Sequence, residues 1–257
     1  MKKISLLSLT LALSSGLSSA AIIVQDSVTG LNNTYQSSSI SFSFSGLDLT
    51  GGDKLVVSIG AQSTDAGSAS GERVWSSVTF DGQSMAEAAR VGAEGDTQWQ
   101  SGIYYLDGLG TLDSSGNLTI TASTLNARGA SATAWVLSGT ASGHGAGNGS
   151  LGSSTSLTTT GANSWVLAHA TVAGTTAPTA QSPLTAGLTI VNPYNGTGTA
   201  ETGNGTGKTI ASSGTSLTPT FDIGNTTVAA EFTAVPEPST ILLLGALGSL
   251  VFLRRRR

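Results

Sequence analysis

Short runs in which every second residue is apolar recur along the middle of this chain. Each predicts a β-strand with one buried face. Ser39 to Phe44 places Ile40, Phe42 and Phe44 on one side. Leu55, Val57 and Ile59 alternate in the next run, with Val56 and Ser58 between them. Val78 and Phe80 end a run at Asp81-Gly82, a pair that favours a two-residue hairpin. Ile103 to Leu106, Leu118 to Ala122 and Ala132 to Leu137 predict further strands, as do Ser164 to Val172, Leu188 to Val191 and Thr227 to Phe232. Met85 to Val91 is the one body segment that reads as a turn or two of helix. Gly139 to Gly152, rich in Gly and Ser, reads as a long loop. Many short strands without amphipathic helices predict an all-β fold, a single jelly-roll-like antiparallel β-sandwich over residues 22–233. No fixed-period repeat is present, which argues against a parallel β-helix.

Composition agrees with strands. Charged residues are only 10% of the chain, against about 25% in an ordinary globular domain. With 39% apolar residues the chain can still bury a core. The net charge of −4 hides an asymmetry: six of eleven basic residues lie at the two ends, whereas Glu237 is the single acidic residue of fifteen outside the body. The segment from Ile22 to Val235 therefore carries −9. Such a surface repels phosphate backbones, so no nucleic-acid partner is expected. With no cysteine, disulfides and thiolate metal sites are excluded.

The two ends differ from the body. Met1-Lys2-Lys3, an apolar run from Ile4 to Leu13 and small residues to Ala21 form the three parts of a secretory signal peptide, residues 1–21, cut after Ala20 or Ala21. At the other end, residues 234–257 contain Val235-Pro236-Glu237-Pro238, an apolar stretch from Ile241 to Leu253, and Arg254, Arg255, Arg256 and Arg257. The two prolines keep the entry extended, and Ser239 or Thr240 can cap a helix that begins at Ile241. Thirteen apolar residues are short for a bilayer, and the arginines supply a positive-inside membrane stop whose stems can snorkel. This segment resembles the PEP-CTERM sorting signal of Gram-negative bacteria in all three parts. The resemblance implies that Val235 to Pro238 is recognised by an exosortase-type sorting enzyme, and it associates the chain with extracellular polysaccharide and biofilm. Export to the cell surface or matrix is expected, with a membrane anchor held transiently or stably through the C-terminal helix.

Part of the body, Ser76 to Gly139, resembles a bacterial extracellular β-sandwich module. The matching segments are Ser77-Val78-Thr79-Phe80-Asp81-Gly82-Gln83, Tyr104-Tyr105-Leu106, Leu118-Thr119-Ile120-Thr121 and Leu137-Ser138-Gly139. The resemblance implies a fold and no catalytic residues.

Catalytic signatures are missing. The two histidines, His144 in a Gly-rich loop and His169 in an apolar strand, sit in no triad or metal motif. Gly207-Lys208-Thr209 lacks the Gly that a phosphate loop needs at position 202, which is Thr202. Glu72, Glu87, Glu94, Glu201 and Glu231 fall in no glycosidase pattern. No cofactor is expected. Asp48 with Asp53, and Glu94 with Asp96, are candidates for loop calcium, without an EF-hand spacing. Trp75, Trp99, Trp135 and Trp165 are more simply core residues, but Trp99, flanked by Gln98 and Gln100, is a candidate glycan contact. The expectation is a non-enzymatic surface or biofilm-matrix protein. A carbohydrate-binding module is its rival, and a polysaccharide-active enzyme the third reading.

Overall fold

The structure is a computed structural model. It describes residues 21–32, 39–63, 76–92, 99–110, 112, 116–121, 127–173, 176–190 and 200–236. Every strand pair among them is antiparallel, and none of them is helical.

A central sheet contains β1 (Ile23–Asn32), β9 (Ala127–Ser138), β3 (Lys54–Ser63), β7 (Trp99–Asp107) and β6 (Ala86–Val91), in that order. A cap sheet of β2 (Ser39–Ser43), β8 (Asn117–Thr121), β4 (Ser77–Phe80) and β5 (Gln83–Ser84) covers one of its faces. An outer sheet of β10 (Gly147–Leu151), β16 (Thr226–Phe232), β12 (Ser164–Ala173), β14 (Ala200–Ile210) and β13 (Thr185–Ile190) covers the other. A small pair, β11 (Leu157–Thr158) with β15 (Ser216–Leu217), packs beyond the outer sheet.

The body is thus a β-sandwich extended by a third sheet rather than the two-sheet jelly-roll-like arrangement that the alternation predicts. The cause is visible in four strands. Leu55, Val57 and Ile59 of β3 face Phe42, Phe80 and Ile120 of the cap sheet, while Val56 faces the opposite layer. Ala130 to Leu137 of β9 is buried on both faces. In β12, Trp165 and Leu167 face the central sheet, while Val166, Ala168 and Ala170 face outward to Leu157, Leu217 and Phe221. All of β16 is buried. Strands covered on both sides need mostly apolar or small residues, and these four have them, with Lys54, His169 and Glu231 as buried exceptions. Residues Ala20–Val235 form one compact unit.

Asp81-Gly82 makes the hairpin turn its sequence predicts, with both residues at positive φ, 50° and 76°. Met85 to Val91 is not helical. Met85 is buried, and β6 pairs with β7 through a bulge between Glu87 and Ala89. The bulge turns Ala88 and Ala89 inward in succession, which blurs the two-residue period. The segment 139–152 is not one long loop either, because β10 pairs with β16 along Gly147 to Leu151.

Candidate functional site

The layer between the central and outer sheets changes character from end to end. One end is aromatic: Trp135, Trp165 and Phe232 meet there, the tryptophans edge-on with centroids 6.3 Å apart. The other end is polar. Ser101, Thr171 and Thr226, all fully buried, join their hydroxyls at 2.7 and 2.8 Å. His169 lies beside them, fully buried, 3.5 Å from Thr171. Trp99 opens β7 two residues before Ser101, hence on the same strand face. It is half-buried, so only part of the ring is available to a ligand.

Beyond the aromatic end, four charged groups hold the segment 139–146. Asp53 directly precedes β3 and Lys54 begins it, Asp107 ends β7 directly across from Lys54, and Glu231 lies on β16. Asp53 accepts from the N–H groups of Gly139 at 2.7 Å and Thr140 at 3.1 Å, and from the Thr140 hydroxyl. Lys54 is fully buried. Its Nζ meets Asp107 Oδ1, donates to the Gly143 carbonyl at 2.7 Å and stands 4.8 Å from the centre of the Tyr105 ring. Asp107 Oδ2 accepts from Gly143 N–H at 2.9 Å and Ser142 Oγ at 3.2 Å.

Glu231 is fully buried and accepts from five donors: the N–H groups of Ala146, Thr160 and Gly161 and the hydroxyls of Thr160 and Ser164. Burial pushes its pKa up, but these bonds outweigh burial and hold it below the ordinary 4.5. Asp107 follows the same balance: burial raises its pKa, and the Lys54, Gly143 and Ser142 contacts bring it below 3.8. His144 is half-buried, 5.4 Å from the Tyr105 ring, rather than an exposed loop residue. Burial and the Lys54 charge lower its pKa against the opposing pull of Glu231. Gly145 sits where a Cβ would stand 2.2 Å from Glu231 Oε2, so a side chain there would displace the carboxylate.

The sorting motif leaves the body at this pole. Val235 is 44% exposed and donates its N–H to the Gly139 carbonyl at 3.0 Å; Ala234 bridges Thr140. Ala21, at the other end of the body, lies against Gly139, and Ile23 pairs with Ser138. The first and last residues of the folded body therefore converge on one loop. Pro236 is exposed. Glu237, Pro238, Ile241 to Leu253 and Arg254 to Arg257 lie outside the described residues, as do Trp75, Glu94 and Asp96. No helix among the described residues is long and apolar enough to cross a membrane.

The structure does not unite Asp48 and Asp53 as a calcium site. Asp53 is occupied by three donors of the 139–140 segment, and Asp48 accepts from Thr50 N–H at 2.8 Å. No group of three metal-ligating side chains occurs among the described residues. A cleft of about 390 Å³ lies where the cap sheet meets the edge of the central sheet, lined by Ser76, Ser77, Met85, Glu87, Arg90 and Tyr104. There Arg90 and Glu87 pair at 3.2 Å and Tyr104 donates to Glu87 at 3.4 Å. Sequence reasoning missed the pinning charges, which assemble from residues far apart in the chain, and this cleft, whose walls meet only through the pairing of β6 with β7.

Comparison with known proteins identifies one segment. Residues 234–257 match the PEP-CTERM protein-sorting motif. No curated protein and no solved structure matches the chain. The motif marks an exported, cell-surface-associated protein processed by an exosortase-type enzyme.

Proposed function

We propose that this protein is a non-enzymatic structural component of the extracellular matrix or biofilm, delivered to the surface through its C-terminal tail. The observation that carries the reading is the match of residues 234–257 to a sorting motif that starts where the folded body ends. The Ile241 to Leu253 stretch and the arginines hold the chain at the membrane until the motif is processed. The occupied carboxylates of the body support a passive role: Asp53, Asp107 and Glu231 use their oxygens to hold the 139–146 segment rather than presenting them to a substrate.

A carbohydrate-binding module is the second reading. The cleft lined by Tyr104, Glu87 and Arg90 favours it, since a carboxylate and a guanidinium facing a concave surface suit a hydroxyl-rich ligand. Half-buried Trp99 is a further candidate contact. Retention of the purified protein on polysaccharide from its own host separates the readings. Retention lost in Trp99→Ala or Arg90→Ala supports the binding module. No retention by any form, with a matrix that weakens when the gene is deleted, supports the structural role. Turnover of the polysaccharide would overturn both.

A further inference from the structure

Lys54 and Asp107 are direct partners across β3 and β7, 53 residues apart in the chain. We propose that they are joined by an intramolecular isopeptide bond between Lys54 Nζ and Asp107 Cγ.

Three observations lead there. The first is placement. The Lys54 side chain is 0% exposed, and its Nζ rests against Asp107 Oδ1, one bond from the carboxyl carbon. The Tyr105 and Phe232 rings lie 4.8 and 5.9 Å from the nitrogen and, with the Lys54 side chain fully buried, keep bulk water away from it. Such fixed placement corresponds to effective molarities of about 10⁵–10⁸ M, which works against the ordinary preference of amine and acid to remain apart in water.

The second is the hold on the other oxygen. Asp107 Oδ2 receives Gly143 N–H and Ser142 Oγ, the donors that a tetrahedral intermediate needs on its oxyanion. Asp107 is 36% exposed, so water can leave from its side of the pair.

The third is that the product fits the same frame. An ammonium has three N–H donors. The acceptors of Lys54 among the described residues are Asp107 Oδ1 and the Gly143 carbonyl. After condensation one N–H remains, and Gly143 accepts it. Oδ2 becomes the amide oxygen and keeps both of its donors.

In the reaction one proton passes from Nζ to Oδ1, and the amine lone pair then attacks Cγ. The C–N bond forms, the C–Oδ1 bond breaks, and Oδ1 leaves as water with that proton and a second one from the nitrogen. No oxidant or co-reactant is needed. In a chain without cysteine, the bond closes a long loop across the central sheet.

The full chain, purified with native-like circular dichroism, is denatured, digested with trypsin and weighed. We expect trypsin to skip Lys54 and to yield a branched fragment. It joins the peptide ending at Arg73 to Val91–Arg128 and weighs one water less than the two together. Asp107→Asn should form the same branch with loss of ammonia instead, and Lys54→Arg should give separate linear peptides. Wild-type protein cleaved after Lys54, with both peptides at unmodified mass, would overturn the proposal.

Discussion

Replacing Glu231 by Gln removes one negative charge and one acceptor oxygen while keeping the shape of the side chain. Oε1 serves Gly161 N–H at 3.0 Å and Ser164 Oγ at 2.6 Å; Oε2 serves Ala146 N–H at 2.9 Å and the Thr160 hydroxyl at 2.9 Å; Thr160 N–H lies within reach of both. Whichever oxygen becomes the amide nitrogen, a fixed backbone N–H then faces another donor. The hydroxyls of Thr160 and Ser164 can rotate to accept; the N–H groups of Ala146 and Gly161 cannot. A buried donor left without its acceptor costs about 1–3 kcal/mol, and the surviving bonds lose their charge assistance, so a total of roughly 2–4 kcal/mol is expected. Trp165, 2% exposed and packed on Phe232 beside Glu231, supplies a fluorescence signal for urea unfolding at pH 7. With a slope of about 1–3 kcal/mol per molar urea, the midpoint should fall by about 1 M or more at unchanged slope. Glu87→Gln, at a half-exposed carboxylate, should stay within about 0.5 kcal/mol and serves as the control. A Glu231→Gln midpoint indistinguishable from wild type would refute the view that this carboxylate holds the 139–146 segment.

The pH dependence follows from the same group. Above 4.5 Glu231 is ionised in both states and its contribution is complete; as pH falls, the unfolded chain binds a proton that the folded one refuses, so stability drains away until pH passes the lowered folded value, and Glu231→Gln should flatten that part of the acid limb. His144, whose folded pKa lies below 6.5, adds to the acid loss at a higher range, so the urea midpoint should already drop between about pH 7 and 5.5 in wild type and less in His144→Asn. Ser101→Ala leaves the buried hydroxyls of Thr171 and Thr226 short of a partner and should cost about 1–2 kcal/mol by the same urea assay; no loss would mean that the polar end of the layer tolerates open groups. Gly147→Ala would set a methyl 2.0 Å from the Ala88 carbonyl oxygen, forcing β10 away from β6, and should destabilise by about 2 kcal/mol or more in thermal unfolding.

The strands were legible where one face is apolar and the other is not. Ile40 and Phe42 of β2, Phe44 just after it, and Leu118 and Ile120 of β8 announce the cap sheet, and Asp81-Gly82 announces its hairpin. The strands at Ser164 to Val172 and Thr227 to Phe232 were legible as apolar runs, but their grouping into a third sheet was not, because a strand covered on both sides has no alternation to show which layers it separates. Ala168, Ala170, Ala229 and Ala230 are core residues that read as neutral filler. β14 was missed for another reason: its Gly, Asn and Thr residues resemble a loop, and only pairing with β12 and β13 makes them a strand. Its Asn204 to Thr209, superficially like a phosphate loop, is therefore extended. Charge told least. Asp53, Lys54, Asp107 and Glu231 are scattered over 179 positions, and their meeting around Gly139 to Ala146 depends on the register of β3 with β7 and the closure of β16. The address at the C-terminus was the opposite case, being contiguous and readable residue by residue.

The central claim is that this chain is an exported protein processed at its Pro-Glu-Pro motif, and the mass and location of the mature protein in its native host test it most directly. With Val235 to Pro238 intact, the account predicts surface-associated protein that starts near Ala21 and has lost the apolar stretch and the arginines; deleting the four residues should leave the full tail in place and the protein in the membrane fraction. A wild-type protein that keeps Arg254 to Arg257 in the membrane, unaffected by that deletion, would contradict the account.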